Sequence, residues 1–260
     1  MARPNGACAR RAFTLIELLI VTAIIAMLIG ILLPALGAAR GSARELVCLS
    51  AMRSLGSATH AYADENRESW PQSSHTAGWT GTPWPYALAS YFSEFRTDRG
   101  GVDTRGWRAY IERYLRCPED PRRLAPRDET RAEYNGSYAF NVYFELTPEE
   151  LGGRFDAIGA KRDWSRRDRA MRPSSTVHAG ETVPSDAELS RAMPADDHFM
   201  AHLFPTDPDE LSAIAADRHA GRSSYLWLDG HAQAEPLERV FLLDANGRVE
   251  RDLWNPATAH

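Results

Sequence analysis

The sequence predicts an α+β fold in which one long N-terminal helix packs its distal half on a small antiparallel sheet. Three observations carry this reading. Residues 13–36 are an apolar run, residues 38–66 keep a helical apolar period without proline, and Asp229-Gly230 and Asn246-Gly247 stand between short alternating runs near the C-terminus. The chain of 260 residues is 43% hydrophobic and 25% charged, an ordinary globular composition that excludes a disordered or collagen-like protein. A net charge of -5 gives nucleic-acid binding no electrostatic support. Three cysteines are too few for a disulfide scaffold, and none are spaced as a zinc ribbon or a C-x-x-C redox pair.

Residues 1–12 form a basic leader with Arg3, Arg10 and Arg11 and no acid. In residues 13–36, the membrane half of the helix, 19 of 24 positions are apolar; Thr14, Glu17, Thr22, Gly30 and Pro34 are the exceptions. As a helix this run spans roughly 36 Å, enough to cross a hydrocarbon core of about 30 Å. The arginines before it place the N-terminus in the cytoplasm and the bulk of the chain across the inner membrane, periplasmic or extracellular. A cleaved secretory signal would have an apolar core of about 7–15 residues, and this run is longer and contains Glu17. An ordinary anchor explains length and orientation but not Glu17, since a carboxylate costs about 2.5–3.5 kcal/mol at the bilayer centre.

Residues 37–66 continue as an amphipathic half, with apolar positions at Ala39, Ala43, Leu46 or Val47, Ala51, Leu55, Ala58 and Tyr62. Together the two halves make a helix near 80 Å long, more than a compact domain of this size needs and suited to assembly. Residues 67–260 form the globular α+β domain. Residues 69–82 read as loop, 84–95 and 107–115 as short helices, and Cys117-Pro118-Glu119-Asp120-Pro121 as a break. Residues 137–144 and 176–179 read as strands, with an irregular insertion at about 145–215. Residues 223–228 and 231–234 form a hairpin across Asp229-Gly230, and a second turns at Asn246-Gly247.

Arg10-Arg11-Ala12 followed by Phe13-Thr14-Leu15-Ile16-Glu17 and an unbroken apolar run resembles the class III signal of type IV pilins and type II secretion pseudopilins. Ala12 stands where that family usually has Gly. The resemblance implies a pilin-like fold and cleavage by the prepilin peptidase between Ala12 and Phe13, with N-methylation of Phe13. Loss of the leader and its three arginines would leave 248 residues and a net charge of -8. It also implies partners: other pilin-like subunits and the inner-membrane assembly platform. Glu17 would then neutralise the Phe13 amine of a neighbouring subunit. The segment from Cys48 to Trp70-Pro71, the run Leu115-Arg116-Cys117-Pro118, and His219 followed after nine residues by Asp229-Gly230 resemble pseudopilin-like proteins abundant in planctomycetes, the last as their H-x9-DG signature.

Other candidates have plainer readings beside them. After loss of Cys8 with the leader, Cys48 and Cys117 are either a disulfide pair or two buried thiols. His198 and His202, at i and i+4, would suit zinc on a helix with an aspartate or His219 as third ligand, but no HExxH glutamate accompanies them, so surface histidines explain them as well. No cofactor is expected, although the family resemblance makes calcium a candidate at Asp207, Asp209 and Glu210, where EF-hand spacing is lacking. His219 and Asp229 read as a hydrogen bond bracing the last hairpin rather than a catalytic pair. With no nucleophile elbow, P-loop or dinucleotide fingerprint, the expectation is a structural pilin-like subunit and not an enzyme. The alternative is a monomeric membrane-anchored periplasmic domain binding a ligand or metal around His198.

Overall fold

The computed structural model describes residues 14–77, 81–92, 104–121, 136–145, 164–183 and 197–259. The leader, Phe13, residues 93–95 and two parts of the expected insertion, 146–163 and 184–196, lie outside these. The chain divides into two compact units, Met1–Ser42 and Ala43–His260, and helix α1 (Leu15–Glu65) runs through the boundary.

In the first unit α1 carries its apolar side chains exposed, from Leu15 through Leu36, as a helix meant for a non-aqueous solvent does. The helix passes Pro34 without a break. It starts with a reciprocal cap. The Thr14 hydroxyl accepts from the Glu17 backbone N–H at 3.2 Å, and Glu17 Oε2 accepts from the Thr14 backbone N–H at 2.9 Å and from its hydroxyl at 2.8 Å. This is a capping box, which satisfies N–H groups that the first helical turn otherwise leaves without partners.

In the second unit α1 buries one stripe: Cys48, Leu49, Ala51, Met52, Leu55, Gly56, Ala58, Thr59 and Ala63. The spacing is the helical period, and Ala51, Leu55 and Ala58 are buried as the sequence suggests. Leu46 and Val47, expected inside, are exposed, and burial begins at Cys48. The helix stops where Arg67 and Glu68 adopt left-handed φ values of 57° and 66°. Two such residues without glycine are strained, and neighbours hold them. Arg166 Nη1 donates to the Arg67 carbonyl at 2.7 Å, and Arg167 Nε donates to Glu68 at 2.7 Å while pairing with Asp64.

A five-stranded sheet faces this stripe. Its strands are β1 (Tyr138–Asn141), β2 (Val177–Glu181), β3 (His198–Phe199), β4 (Ser223–Trp227) and β5 (Ala232–Glu235), in the order β3-β1-β2-β4-β5. All pairs are antiparallel except β1 with β3, which is parallel. The sheet is therefore mixed, because the segment read as an irregular insertion supplies an edge strand. A separate hairpin, β6 (Phe241–Leu243) with β7 (Val249–Asp252), closes around Gly247 at φ 74°, at the expected Asn246-Gly247 turn. The expected strand over 137–144 ends at Asn141, whose side-chain oxygen accepts from the Tyr143 backbone N–H at 3.1 Å and turns the chain into a 3-10 turn at Val142–Phe144.

Strands β1, β2 and β4 are buried at every position, so the sheet is covered on both faces. On one face Tyr138, Phe140, Ala179 and Leu226 join Met52, Leu55, Trp84 and Tyr110, with Trp84 stacked on Phe140 at 4.5 Å. On the other, Ala139, Val177, Tyr225 and Trp227 join Phe199, Phe204, Phe241 and Trp254. Trp254 is fully buried with Phe199 and Phe204 rings at 5.0 and 5.6 Å, so the C-terminal segment is part of the core.

The helix lies close against the sheet and its last hairpin at Gly56. A Cβ there would meet Leu226 Cδ1 at 2.8 Å and the Gly230 Cα and carbonyl oxygen at 3.1 Å, and Gly230 itself has φ 90° in the Asp229-Gly230 turn. Alanine gains about 1 kcal/mol of helix propensity over glycine, but overpacking against backbone costs about 1–3 kcal/mol. Gly56→Ala should therefore lower the melting temperature of the globular unit; an unchanged or raised value would show that α1 can move off the turn.

A buried polar site bridges segments outside the sheet. Ser73 Oγ donates to Glu145 Oε2 at 2.8 Å, and Ser74 N–H and Oγ–H donate to Asp197 at 2.8 and 2.7 Å. Burial pushes Glu145 up to about 7, against the Ser73 hydrogen bonds and the nearby His198, which favour the carboxylate. Between the unfolded value of 4.5 and about 7 the folded chain binds the extra proton, so this group's stabilisation is present below that window and is lost as pH rises through it. Relative to wild type, Glu145→Gln should become more stable by roughly 1.4 kcal/mol per pH unit across the window. Denaturant unfolding at pH 4.5 and pH 8 measures this, and an equal difference at both would contradict it.

Candidate functional site

Two groups of residues carry chemistry, one in each unit. In the first unit Ala12 and Phe13 lie outside the described residues, and Glu17 sits in the first turn of α1. One of its oxygens, Oε2, belongs to the capping box with Thr14, while Oε1 makes no hydrogen bond among the described residues. A carboxylate held in one rotamer, with one oxygen available, is a defined acceptor at the head of an apolar helix.

In the second unit four side chains from distant parts of the chain meet: Cys48 on α1, Cys117 at the Cys-Pro break, Glu181 at the end of β2, and His219 in the turn before β4. Their ligand atoms all lie within 4.8 Å of one another, and all four residues are buried. Cys48 and Cys117 are free thiols whose sulfurs approach to 2.7 Å. His219 Nε2 lies 3.4 Å from Cys117 Sγ and 3.1 Å from Glu181 Oε1, and its Nδ1 faces Glu119 Oε2 at 3.5 Å. Glu181 Oε2 accepts from the Ser224 backbone N–H at 3.0 Å.

Local structure explains each position. Ala220 and Gly221 take left-handed φ values of 55° and 83°, and the His219 N–H donates to the Arg222 carbonyl at 3.0 Å, a tight turn that points the imidazole inward. The Cys117 N–H donates to Ser137 Oγ at 3.0 Å, and that hydroxyl donates to Asp120 Oδ2 at 2.6 Å, which fixes the corner against β1. Arg218 is the neighbouring cation, with Nη1 3.9 Å from Glu181 and Nη2 3.7 Å from Asp120.

The electrostatics follow from this packing. The hydrogen bond from Cys48 holds the Cys117 thiol down to about 7, against burial and with help from His219. The same contact, with burial, pushes Cys48 well up. Burial disfavours the His219 imidazolium, but the Cys117 and Glu181 contacts outweigh it and raise His219 to about 10. Two sulfurs, an imidazole ring and a carboxylate at one buried point can share protons or take up a cation.

The structure brings Cys48 and Cys117 together and adds His219, but it separates His219 from Asp229. His219 turns to Cys117 and Glu181, whereas Asp229 accepts from the His231 backbone N–H at 3.1 Å and contacts its ring. The brace expected between His219 and the last hairpin is thus made to β2. The turn itself is in place, with Gly230 at φ 90°. His198 and His202 do not share a helix. His198 is on β3 with Nδ1 2.9 Å from Asp197 Oδ1, and His202 is in the 3-10 turn Ala201–Leu203 beside the Tyr143 ring. Asp207, Asp209 and Glu210 open a 3-10 turn, in which Asp207 Oδ1 accepts from the Asp209 N–H at 3.3 Å. Glu181 was missed in the sequence. What could have found it is its type: an acid closing the strand Val177–Glu181, which is buried at every position, has to have a buried partner.

Residues 8–33 match the family described as the prokaryotic N-terminal methylation motif. The N-terminus is therefore prepilin-like, and the match ends inside the apolar part of α1. No curated protein and no solved structure matches the chain.

Replacing Glu181 by Gln keeps its shape but removes the charge facing His219 and Arg218. The two cations would then sit buried without it, and breaking such a pair costs about 3–5 kcal/mol. Glu181→Gln should lower the melting temperature sharply, whereas Asp229→Asn, at the exposed turn, should change it little. Equal effects would contradict the assignment of His219 to Glu181.

Proposed function

We propose that the chain is a structural, pilin-like subunit of a type II secretion or type IV pilus-like assembly and has no catalytic role. The observation that carries this is the N-terminal methylation motif at residues 8–33, continuous with an apolar helix whose side chains are exposed. The prepilin peptidase cuts between Ala12 and Phe13 and the new Phe13 amine is methylated. The three leader arginines keep the N-terminus on the cytoplasmic side of the inner membrane, and the globular unit stands on the other side.

Retaining the apolar helix after cleavage gives every subunit a cation at Phe13 and, four residues on, a carboxylate at Glu17. Each is costly in a bilayer alone. Packed side by side with an axial offset, one subunit's Glu17 neutralises the next subunit's Phe13 amine, which sets the register of the bundle. The capping box supports this reading by occupying one carboxylate oxygen and leaving Oε1 for the neighbour.

Mass spectrometry of the protein extracted from its own membranes tests the processing. The expected mature chain begins at N-methyl-Phe13 and has 248 residues; an intact N-terminus, or one near Ala39, would refute the proposal. A charge-only substitution tests the assembly step. Glu17→Gln keeps an acceptor at the third helical position, as capping boxes allow, but leaves the neighbour's amine unpaired. Cross-linked multimers should disappear while the melting of the globular unit stays unchanged. Multimers as abundant as in wild type would contradict the role given to Glu17.

A further inference from the structure

We propose that Cys48, Cys117, Glu181 and His219 form a structural zinc site. The donor set is two thiolates, one imidazole nitrogen and one carboxylate oxygen, all of them ordinary zinc ligands, and four is the number that a closed structural site uses. Tetrahedral zinc with bonds of about 2.0–2.3 Å places nitrogen and oxygen ligands about 3.4 Å apart, and sulfur and nitrogen about 3.6 Å apart. The structure has His219 Nε2 3.1 Å from Glu181 Oε1 and 3.4 Å from Cys117 Sγ, so two edges of the tetrahedron are nearly in place. The sulfurs, at 2.7 Å, have to open to about 3.8 Å, which a small rotation of either cysteine side chain supplies.

Charge and surroundings fit as well. Two thiolates and Glu181 carry three negative charges. A divalent ion leaves one, and Arg218, shared with Asp120 at 3.7 Å, stands 3.9 Å from Glu181. Glu119 faces the distal ring nitrogen of His219 at 3.5 Å, the carboxylate–histidine–metal arrangement that fixes an imidazole ligand's orientation. The Ser224 N–H holds the second oxygen of Glu181. A plain disulfide between Cys48 and Cys117 would account for the sulfurs, but it gives no reason for a histidine and a carboxylate, both almost wholly buried, to converge on the same point. The ion would tie α1 to the Cys-Pro corner, to the end of β2 and to the turn before β4. With four protein ligands and no exposed face, it would stabilise the globular unit rather than activate water.

The site is a property of the globular unit and stands whether or not the chain assembles. The full-length mature protein, extracted in detergent without chelator, should carry stoichiometric zinc by mass spectrometry of the metal. Its two thiols should resist alkylation until a strong chelator is added and then both react, and cobalt exchanged for zinc should show thiolate-to-cobalt charge-transfer absorption. His219→Ala and Glu181→Gln should lose zinc with the thiols still reducible and reactive. Should either variant fail to fold, the wild-type metal content and thiol protection decide alone. A wild-type chain that holds no zinc after incubation with zinc chloride and desalting would overturn the proposal, whether its thiols are then found free or bridged.

Discussion

Helix α1 has to satisfy two different surroundings with one continuous helix, and the rest of the molecule is arranged around that demand. Up to Leu36 its side chains are exposed and apolar, which water does not tolerate and a bilayer or a bundle of like helices does. From Cys48 to Ala63 the same helix supplies one side of a protein core. Apart from Pro34, which brings no N–H, its backbone lacks partners only at its ends. The capping box of Thr14 and Glu17 meets that need at the start, and the held left-handed pair Arg67 and Glu68 ends the helix. Glu17 is therefore both a cap and the acid of the motif.

The helix was largely legible in the sequence, because a long apolar run and a 3.6-residue period are local patterns. The error was in where the buried stripe starts. Leu46 and Val47 are apolar but outside, and the buried stripe begins at a cysteine, whose place depends on Cys117 some seventy residues away. The two glycine turns were legible for the same local reason, since only glycine takes φ near 90° at low cost. The mixed sheet was not. An alternating pattern reports a half-exposed strand, and β1, β2 and β4 are buried on both sides, closed from beyond by Phe204, Phe241 and Trp254. Burial on a second face is set by segments distant in sequence.

The candidate sites divide along the same line. The N-terminal motif is a contiguous string, so it could be read directly, and residues 8–33 match the methylation motif independently. The buried cluster is assembled from positions 48, 117, 181 and 219, and only three of these drew notice in the sequence. His219 was noticed but given Asp229 as its partner, because proximity along the chain was the only guide. The left-handed Ala220-Gly221 turn instead directs the ring toward β2. An acid at the end of a buried strand was the missing clue.

In the proposed assembly the exposed apolar part of α1 packs against the same helix of other subunits. Photo-cross-linking in native membranes, with a reactive residue placed in turn at successive positions from Leu18 to Leu33, tests it most directly. The expected result is adducts to a second copy of the chain, or to a like subunit, that recur with the helical period and are strongest near Glu17. Adducts to lipid alone at every position would show a solitary anchor and contradict it.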